Sequence, residues 1–226
     1  FMGCPLAEQQ GALCLDSKKS YCFSSKDQKI LHQFVQLIQE LKNSMQARDC
    51  SEQEQRFYLF LQSFQSLRRT NPRWSSFLEN FLKILAECSG FAYCIFASRD
   101  EAGEGYYLEG WNRPLFRRRD VHRRKFDING GLIGWVFRHH TEISTADKGE
   151  RVRGTPLFEK HFDAPRFQTI VCFPLIVNMR TRGVLILADE ERKPVSQSLH
   201  DFAFLVSDHL ALFLENLYFK NKLRQT

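Results

Sequence analysis

Three groups of residues could do chemistry in this 226-residue chain: seven cysteines, the histidines His139, His140 and His161, and the glycine-led turn Asn129-Gly130-Gly131. The cysteines, at 4, 14, 22, 50, 88, 94 and 172, include no C-x-x-C pair and no Cys/His cluster at zinc-finger spacing, and their number is odd. Neither a disulfide framework nor a structural zinc is expected from that pattern. Cys14, Cys94 and Cys172 sit in apolar, strand-like runs, where a free thiol behaves as a small hydrophobe, so all three are expected to be buried and inert. A redox role for Cys172 would need an accessible thiol of lowered pKa, and nothing near it in sequence supplies one. Adjacent histidines point to different faces of a helix and do not make an i, i+4 ligand pair, so no metal is expected at His139 and His140. No G-x-S-x-G or His-Glu-x-x-His occurs, and the acidic pairs Asp100-Glu101 and Glu190-Glu191 fall at hairpin or strand ends that face water. The expectation is a protein that is not an enzyme.

Asn129-Gly130-Gly131 opens a helical stretch, where backbone N–H groups could meet a phosphate or carboxylate, with Arg138, Arg151 or Arg153 as a counter-charge. Glycine there serves a tight turn equally well, and there is no G-x-G-x-x-G and no P-loop lysine. The net charge of +6 is mostly local: "RPLFRRRDVHRRKFD" packs Arg113, Arg117, Arg118, Arg119, Arg123, Arg124 and Lys125 beside a proline and before a short strand-like run. That reads as a solvated loop and not as one face of a helix that reads nucleic acid. Nucleic acid is therefore not the expected partner. No apolar run approaches the roughly 20 residues that cross a bilayer, and no signal-peptide pattern opens the sequence, so no membrane span and a cytoplasmic location are expected.

The elements that would position these groups follow from periodicity. Many of the 21 phenylalanines recur at helical spacing. Over residues 25–45, Leu31, Phe34, Ile38, Leu41 and Met45 step by three and four, a narrow seam. After a polar interval at 46–55, a second helical pattern carries Phe57, Phe60, Leu61, Phe64 and Leu67, ending before Asn71-Pro72. Residues 74–90 form a shorter amphipathic helix capped by Gly90. A terminal helix from Ser196 shows two stripes, one with Ala203, Val206, Leu210, Phe213 and Leu217, the other with Leu205, Leu212 and Phe219. Such a helix can cover its own sheet with one face and meet a partner with the other. Between the helices, "FAYCIFASR", "EGYYLEGW", "RKFDI", "TIVCFPLIVN" and "RGVLILADEE" read as five strands. The order predicts an α+β fold with an antiparallel sheet covered by helices on one face.

Phe173-Pro174-Leu175, then Gly183-Val184-Leu185-Ile186-Leu187-Ala188-Asp189, Pro194 and a long helix resemble the last third of a GAF domain, and "GGLIGWVFRHHTEI" resembles that family's Gly-x-x-Gly helix and following strand. The resemblance covers about residues 52–226. Cys4-Pro5-Leu6, Gly11-Ala12-Leu13-Cys14-Leu15-Asp16, Phe23 and the helix from Ser25 match the same last third a second time. The arrangement this implies is tandem: residues 1–25 as the end of a first GAF-like domain, 26–69 as connecting helices, and 70–226 as a complete GAF domain ending in a long signalling helix. Residues 1–25 could instead pair with another chain.

The resemblance implies a sensory or regulatory module that binds a small molecule or partner and passes a signal through dimeric helices to an output domain. Its ligand pocket would be lined by Tyr93, Ile95, Tyr107, Trp111, Gly131, Trp135, Phe158, Phe162, Phe167 and Cys172, unless these aromatics fill the space themselves. The homodimer expected from the helix seams would use Leu31, Phe34, Ile38, Leu41, Val206, Leu210, Phe213 and Leu217. A cyclic nucleotide is disfavoured because the family's Asn-Lys…Phe…Asp-Glu signature is missing: Phe162-Asp163 is followed by Ala164-Pro165, and Asn221-Lys222 lies at the far end of the last helix. A bilin is disfavoured because no Cys-His pair occurs. The cofactor is otherwise unknown. Two alternatives stand beside this reading: a dimerisation scaffold without ligand, and binding of nucleic acid or an acidic partner by residues 113–125.

Overall fold

A computed structural model of the chain describes residues 2–5, 12–18, 23–70, 73–115, 124–146, 154–159 and 164–225, the side chains of 46, 68, 69 and 217–225 excepted. They fall into two compact units, Phe1–Gln55 and Arg56–Thr226.

In the first unit, β1 (Met2–Pro5) and β2 (Ala12–Leu15) form an antiparallel pair, and the first part of α1 (Ser25–Thr70) packs on it. Ser24 caps the helix. Its backbone N–H and its hydroxyl both reach the Asp27 carboxylate at 2.6 Å, a capping box in which those hydrogen bonds hold the Asp27 pKa below its ordinary value. Leu31 and Val35 are buried against Met2 and Cys4. So small a sheet has only one covered face: Leu13 packs there, while Cys14, expected to be buried, lies on the other face and is exposed.

The two helical stretches read on either side of 46–55 are one helix of 46 residues. The interval is polar but holds no Gly or Pro, and Arg48 and Glu52 pair across one turn. A polar face interrupts burial without interrupting backbone hydrogen bonding.

The second unit begins inside α1 because Phe57, Phe60 and Phe64 belong to its core. After α2 (Trp74–Ser89), which ends on Gly90 at φ 73° as its spacing predicts, come β3 (Tyr93–Arg99), β4 (Gly105–Trp111), β5 (Phe126–Asp127), α3 (Gly131–His139), β6 (Ile143–Ser144), β7 (Thr169–Val177), β8 (Arg180–Asp189) and α4 (Gln197–Gln225). The strands form one antiparallel sheet in the order β5-β4-β3-β8-β7-β6.

Both faces of this sheet are covered, which is why β3 and β8 read as nearly unbroken apolar runs and not as alternating ones. On one face α1, α2 and α4 pack against Cys94, Phe96, Val171, Phe173, Leu185 and Leu187. Here the phenylalanines concentrate: Phe64 meets Phe77 and Phe81 edge to face, with centroids 5.9 and 5.6 Å away, and Phe213 lies 4.6 Å from Phe77. On the other face α3 and its flanking loops cover Tyr93, Ile95, Ala97, Ile170, Cys172, Val184 and Ile186.

Candidate ligand pocket

The start of α3 positions the loop-covered face. Gly130 and Gly131 open the helix after a turn in which the Gly130 N–H donates to the Asp127 carbonyl at 3.1 Å. The free N–H groups of the first turn do not face an open site. Leu132 donates to Pro156 O at 3.0 Å and Ile133 to Leu157 O at 3.4 Å. These bonds dock residues 156–159 onto the helix and use up donors that an anion would need. Gly131 has φ +65°, and a Cβ there would sit 2.5 Å from Leu157 O and 2.6 Å from Phe158 O. Glycine is required by the docked segment as well as by the dihedral.

Arg138 is exposed and donates to Asn129 Oδ1 at 3.0 Å. Arg151, Arg153 and His161 lie outside the described residues. His139 stacks on Trp135, centroids 4.2 Å apart, with Nδ1 2.9 Å from the Trp135 carbonyl. His140 caps the helix at φ 56°, its Nδ1 2.8 Å from the hydroxyl of the buried Thr181. Both histidines are thus occupied at the end of α3, and no cluster of three or more metal-ligating side chains occurs among the described residues.

Of the expected pocket residues, Tyr93, Ile95, Phe158 and Cys172 meet in the buried cluster on this face, and Trp111, Trp135 and Phe167 pack against it. Tyr93 and Phe167 touch edge to face at 5.1 Å. Phe162 lies outside the described residues. Tyr107 is not brought in: it is half-buried and belongs to neither cluster, while its neighbour Tyr106 is fully buried in this one. The cause is a β-bulge. Phe96 pairs with Gly110 and Ala97 with Leu108, so Glu109 is an extra residue in β4. The extra residue reverses the alternation, so Tyr106 and Leu108 face the same side as Trp111.

Tyr106 is stacked between Phe126 and Phe137, with centroids 5.2 and 5.5 Å away. Its hydroxyl is buried without a hydrogen-bond partner among the described residues, and burial raises its pKa far above the ordinary value. Phe126 also meets Phe158, at 5.7 Å. These rings fill the interior of the face. Beside them lies a cleft of about 530 Å³ between residues 154–159 and 164–167, with Phe158, Phe167 and Ile170 as apolar walls and Glu159 and Arg166 as polar ones. A further hollow of about 210 Å³, reaching Thr145 and Arg192, shares Gly154, Thr155, Phe167 and Ile170 with it. Only the first is lined by Phe158, and both draw on residues 154–170, whose first part gives no periodic signal in sequence.

The thiols of Cys88, Cys94 and Cys172 are not chemically poised, while Cys4 Sγ lies 3.3 Å from His32 Nδ1 in the first unit. Burial pushes the pKa of Cys94 and of Cys172 far above the ordinary range. Cys88 is pushed up to about 11, chiefly by burial, with the nearby Arg56 charge opposing. These groups stay protonated at neutral pH.

The helix residues expected at a dimer seam divide. Phe34, Ile38 and Leu41 are exposed, in one stripe with Ile30, Leu37 and Met45. Leu31 is instead buried against β1. Val206 and Leu210 are buried on their own sheet and Phe213 packs there too, because α4 must cover β7 and β8. The second stripe of α4 remains open at Leu205 and Leu212. The side chain of Leu217 lies outside the described ones. Of the basic segment, Arg113 lies over the Tyr93 ring at 5.4 Å and Lys125 pairs with Asp100; Arg117, Arg118, Arg119 and Arg123 lie outside the described residues. No described helix is long and apolar enough to cross a membrane.

The GAF domain family model matches residues 74–215. Similar solved structures include GAF domains of phosphoenolpyruvate-protein phosphotransferases. The one from Coxiella burnetii has 18% identity and a TM-score of 0.64, over 74% of this chain and 98% of that one. The one from Acinetobacter has 12% identity and a TM-score of 0.59, over 76% and 98%. The free methionine-R-sulfoxide reductase of Neisseria meningitidis, solved with its substrate, has 18% identity and a TM-score of 0.56, over 70% and 88%. At such identities the likeness is one of fold. No curated protein matches the sequence.

Proposed function

The chain belongs to the GAF domain family, commonly a sensory or regulatory module, and on that premise we propose that it is a regulatory module whose ligand enters the cleft beside Phe158. The single observation that carries the reading is the cleft itself: about 530 Å³, walled by Phe158, Phe167 and Ile170 with Arg166 at its side, within the roughly 300–1,000 Å³ typical of small-molecule sites. Its walls suit a small, largely apolar molecule with one anionic or accepting group for Arg166. A ligand that wedged residues 156–159 away from α3 would break the bonds to Leu132 and Ile133 and loosen one cover of the sheet. The signal would pass through the helices of the opposite cover to an output domain in a homodimer joined along Phe34, Ile38 and Leu41. The module is non-catalytic in this reading, in which the thiols of Cys88, Cys94 and Cys172 are held protonated by burial. A cytoplasmic location fits such a role.

A second reading is favoured by the interior of the same face, where Tyr106, Phe126, Phe137 and Phe158 fill one another's space. In that reading the domain is a dimerisation scaffold with no ligand. Native mass spectra of the purified chain, compared with spectra after denaturation, separate the two. A small molecule present only in the native ions supports the sensor. A bare chain whose melting temperature does not respond to a metabolite mixture supports the scaffold.

A further inference from the structure

The cleft of about 530 Å³ beside Phe158 and the hollow of about 210 Å³ next to it meet over Phe167 and Ile170, and share Gly154 and Thr155 as well. One occupant can therefore extend from the first into the second. Each hollow also has a guanidinium of its own: Arg166 lines the first and Arg192 the second. Both side chains are exposed, and neither forms an ion pair among the described residues.

The acidic side chains nearby are engaged elsewhere. Glu159, the one described carboxylate that lines either hollow, accepts from the Asp127 N–H at 2.6 Å. Glu190 accepts from the Tyr93 hydroxyl at 2.6 Å, and Asp189 holds Lys193 at 2.8 Å.

Arg192 is also firmly placed. Thr169, nearly fully buried in β7, donates from Oγ1 to the Glu191 carbonyl at 2.9 Å and accepts from the Lys193 N–H at 2.8 Å. One buried hydroxyl thus grips the backbone on both sides of Arg192. The Gln168 N–H adds a bond to the Asp189 carbonyl at 2.8 Å. Backbone that is already ordered lowers the entropy cost of engaging a ligand. What the two hollows offer together is one unpaired guanidinium fork each, with an apolar floor in common. Such forks match carboxylates, and the floor matches methylene groups.

We propose that the ligand is a linear dicarboxylate, one carboxylate on Arg166 and the other on Arg192, its hydrocarbon chain lying across Phe167 and Ile170. This rests on the reading of the cleft beside Phe158 as a ligand site, and adds a second anionic group to that ligand. Bound in this way, it ties residues 154–168 to residues 190–196, the connection from β8 into α4. Occupancy on the loop-covered face then reaches a helix of the opposite face.

The test is isothermal titration calorimetry of the full chain at physiological ionic strength with succinate, adipate and suberate, and with hexanoate and octanoate as single-carboxylate counterparts of the last two. The expected result is saturable binding that is tightest at one chain length and about tenfold tighter than that of the matching monocarboxylate. Arg166→Gln and Arg192→Gln should each weaken it about tenfold. Both arginines are exposed, so both variants fold. Inorganic pyrophosphate, which carries the charge without the chain, should bind more weakly than the best dicarboxylate. Hydrogen exchange at residues 199 and 200, in the first turn of α4, should slow on binding in the wild type; unchanged exchange would overturn the link to that helix. A monocarboxylate that binds as tightly as the dicarboxylates, and depends on Arg166 alone, overturns the second anchor and leaves the ligand cleft standing. Absence of saturable binding by all three dicarboxylates, or equally tight binding of pyrophosphate, overturns the proposal, while native mass spectra decide separately whether the cleft holds any molecule.

Discussion

The rings of Phe57 and Phe202 lie face to face, their centroids 4.0 Å apart and their planes 4° from parallel. This contact joins the end of α1 to the start of α4, and Phe60 closes on Phe202 edge-on at 5.2 Å. Phe57→Ala or Phe202→Ala should each destabilise the second unit by about 3 kcal/mol, from lost burial and the cavity left behind. The double variant should cost about 1 kcal/mol less than the sum, because the ring pair is shared. Urea denaturation of the four proteins measures both quantities.

Asp189 ends β8 and is nearly fully buried, yet it accepts from the Ala92 and Glu191 N–H groups at 3.0 Å and lies 2.8 Å from Lys193 Nζ. Burial alone would raise its pKa; the Lys193 bond and the two backbone donors outweigh burial and lower it. A carboxylate held low in the folded state contributes stability that is complete above the unfolded pKa, about 3.9. That stability is lost as pH falls through the lower, folded value. Asp189→Asn should therefore lose about 2 kcal/mol at pH 7 and show a flatter stability profile below pH 4 than the wild type. Melting curves from pH 2 to pH 7 give the comparison; parallel profiles would contradict the assignment.

Tyr106→Phe removes a buried hydroxyl that has no partner among the described residues and keeps the ring between Phe126 and Phe137. The variant should be as stable as the wild type or more stable by up to about 1 kcal/mol. A clear loss of stability would mean that the hydroxyl is satisfied.

Gly90 and Gly131 separate strain from collision. Both have positive φ, but a Cβ at Gly90 meets nothing within 4 Å while one at Gly131 meets two carbonyl oxygens. Gly90→Ala should cost about 1 kcal/mol. Gly131→Ala should cost at least twice that and expose residues 156–159 to limited proteolysis, as the docked segment is forced off α3.

The exposed stripe of α1 predicts which charges will affect association. Leu41→Asp should leave the melting temperature of a dilute monomer nearly unchanged and weaken the homodimer proposed above, read by light scattering. Phe213→Asp should instead unfold the second unit, since Phe213 is packed against Phe77.

Much of the fold is legible in the sequence because its strands are apolar on both faces and its helices have plain caps. Gly90 ends α2 and Gly131 opens α3 where their spacing predicts, and Tyr93, Ile95 and Cys172 share a face because no bulge intervenes in their part of the sheet. Alternation along β4 from Trp111 points to Tyr107 and not Tyr106, because an extra residue at Glu109 leaves no mark in composition. Likewise a polar stretch at 46–55 looks like a break, since burial periodicity reports what a helix touches and not whether it continues. Leu31, Val206 and Leu210 carry the same stripe that a partner helix would use, and only the position of the sheets shows that they are already covered.

The sheet's central pair, β3 with β8, joins Tyr93 to Ala188 and Ser98 to Gly183, residues far apart in the chain. Such non-local pairing forms slowly, because a long intervening chain must close before the contacts reward it. During synthesis β3 and β4 emerge as a hairpin whose inner edge waits for a strand made nearly a hundred residues later. That edge, rich in apolar side chains on both faces, is where an incomplete chain would meet a chaperone or another unfinished copy.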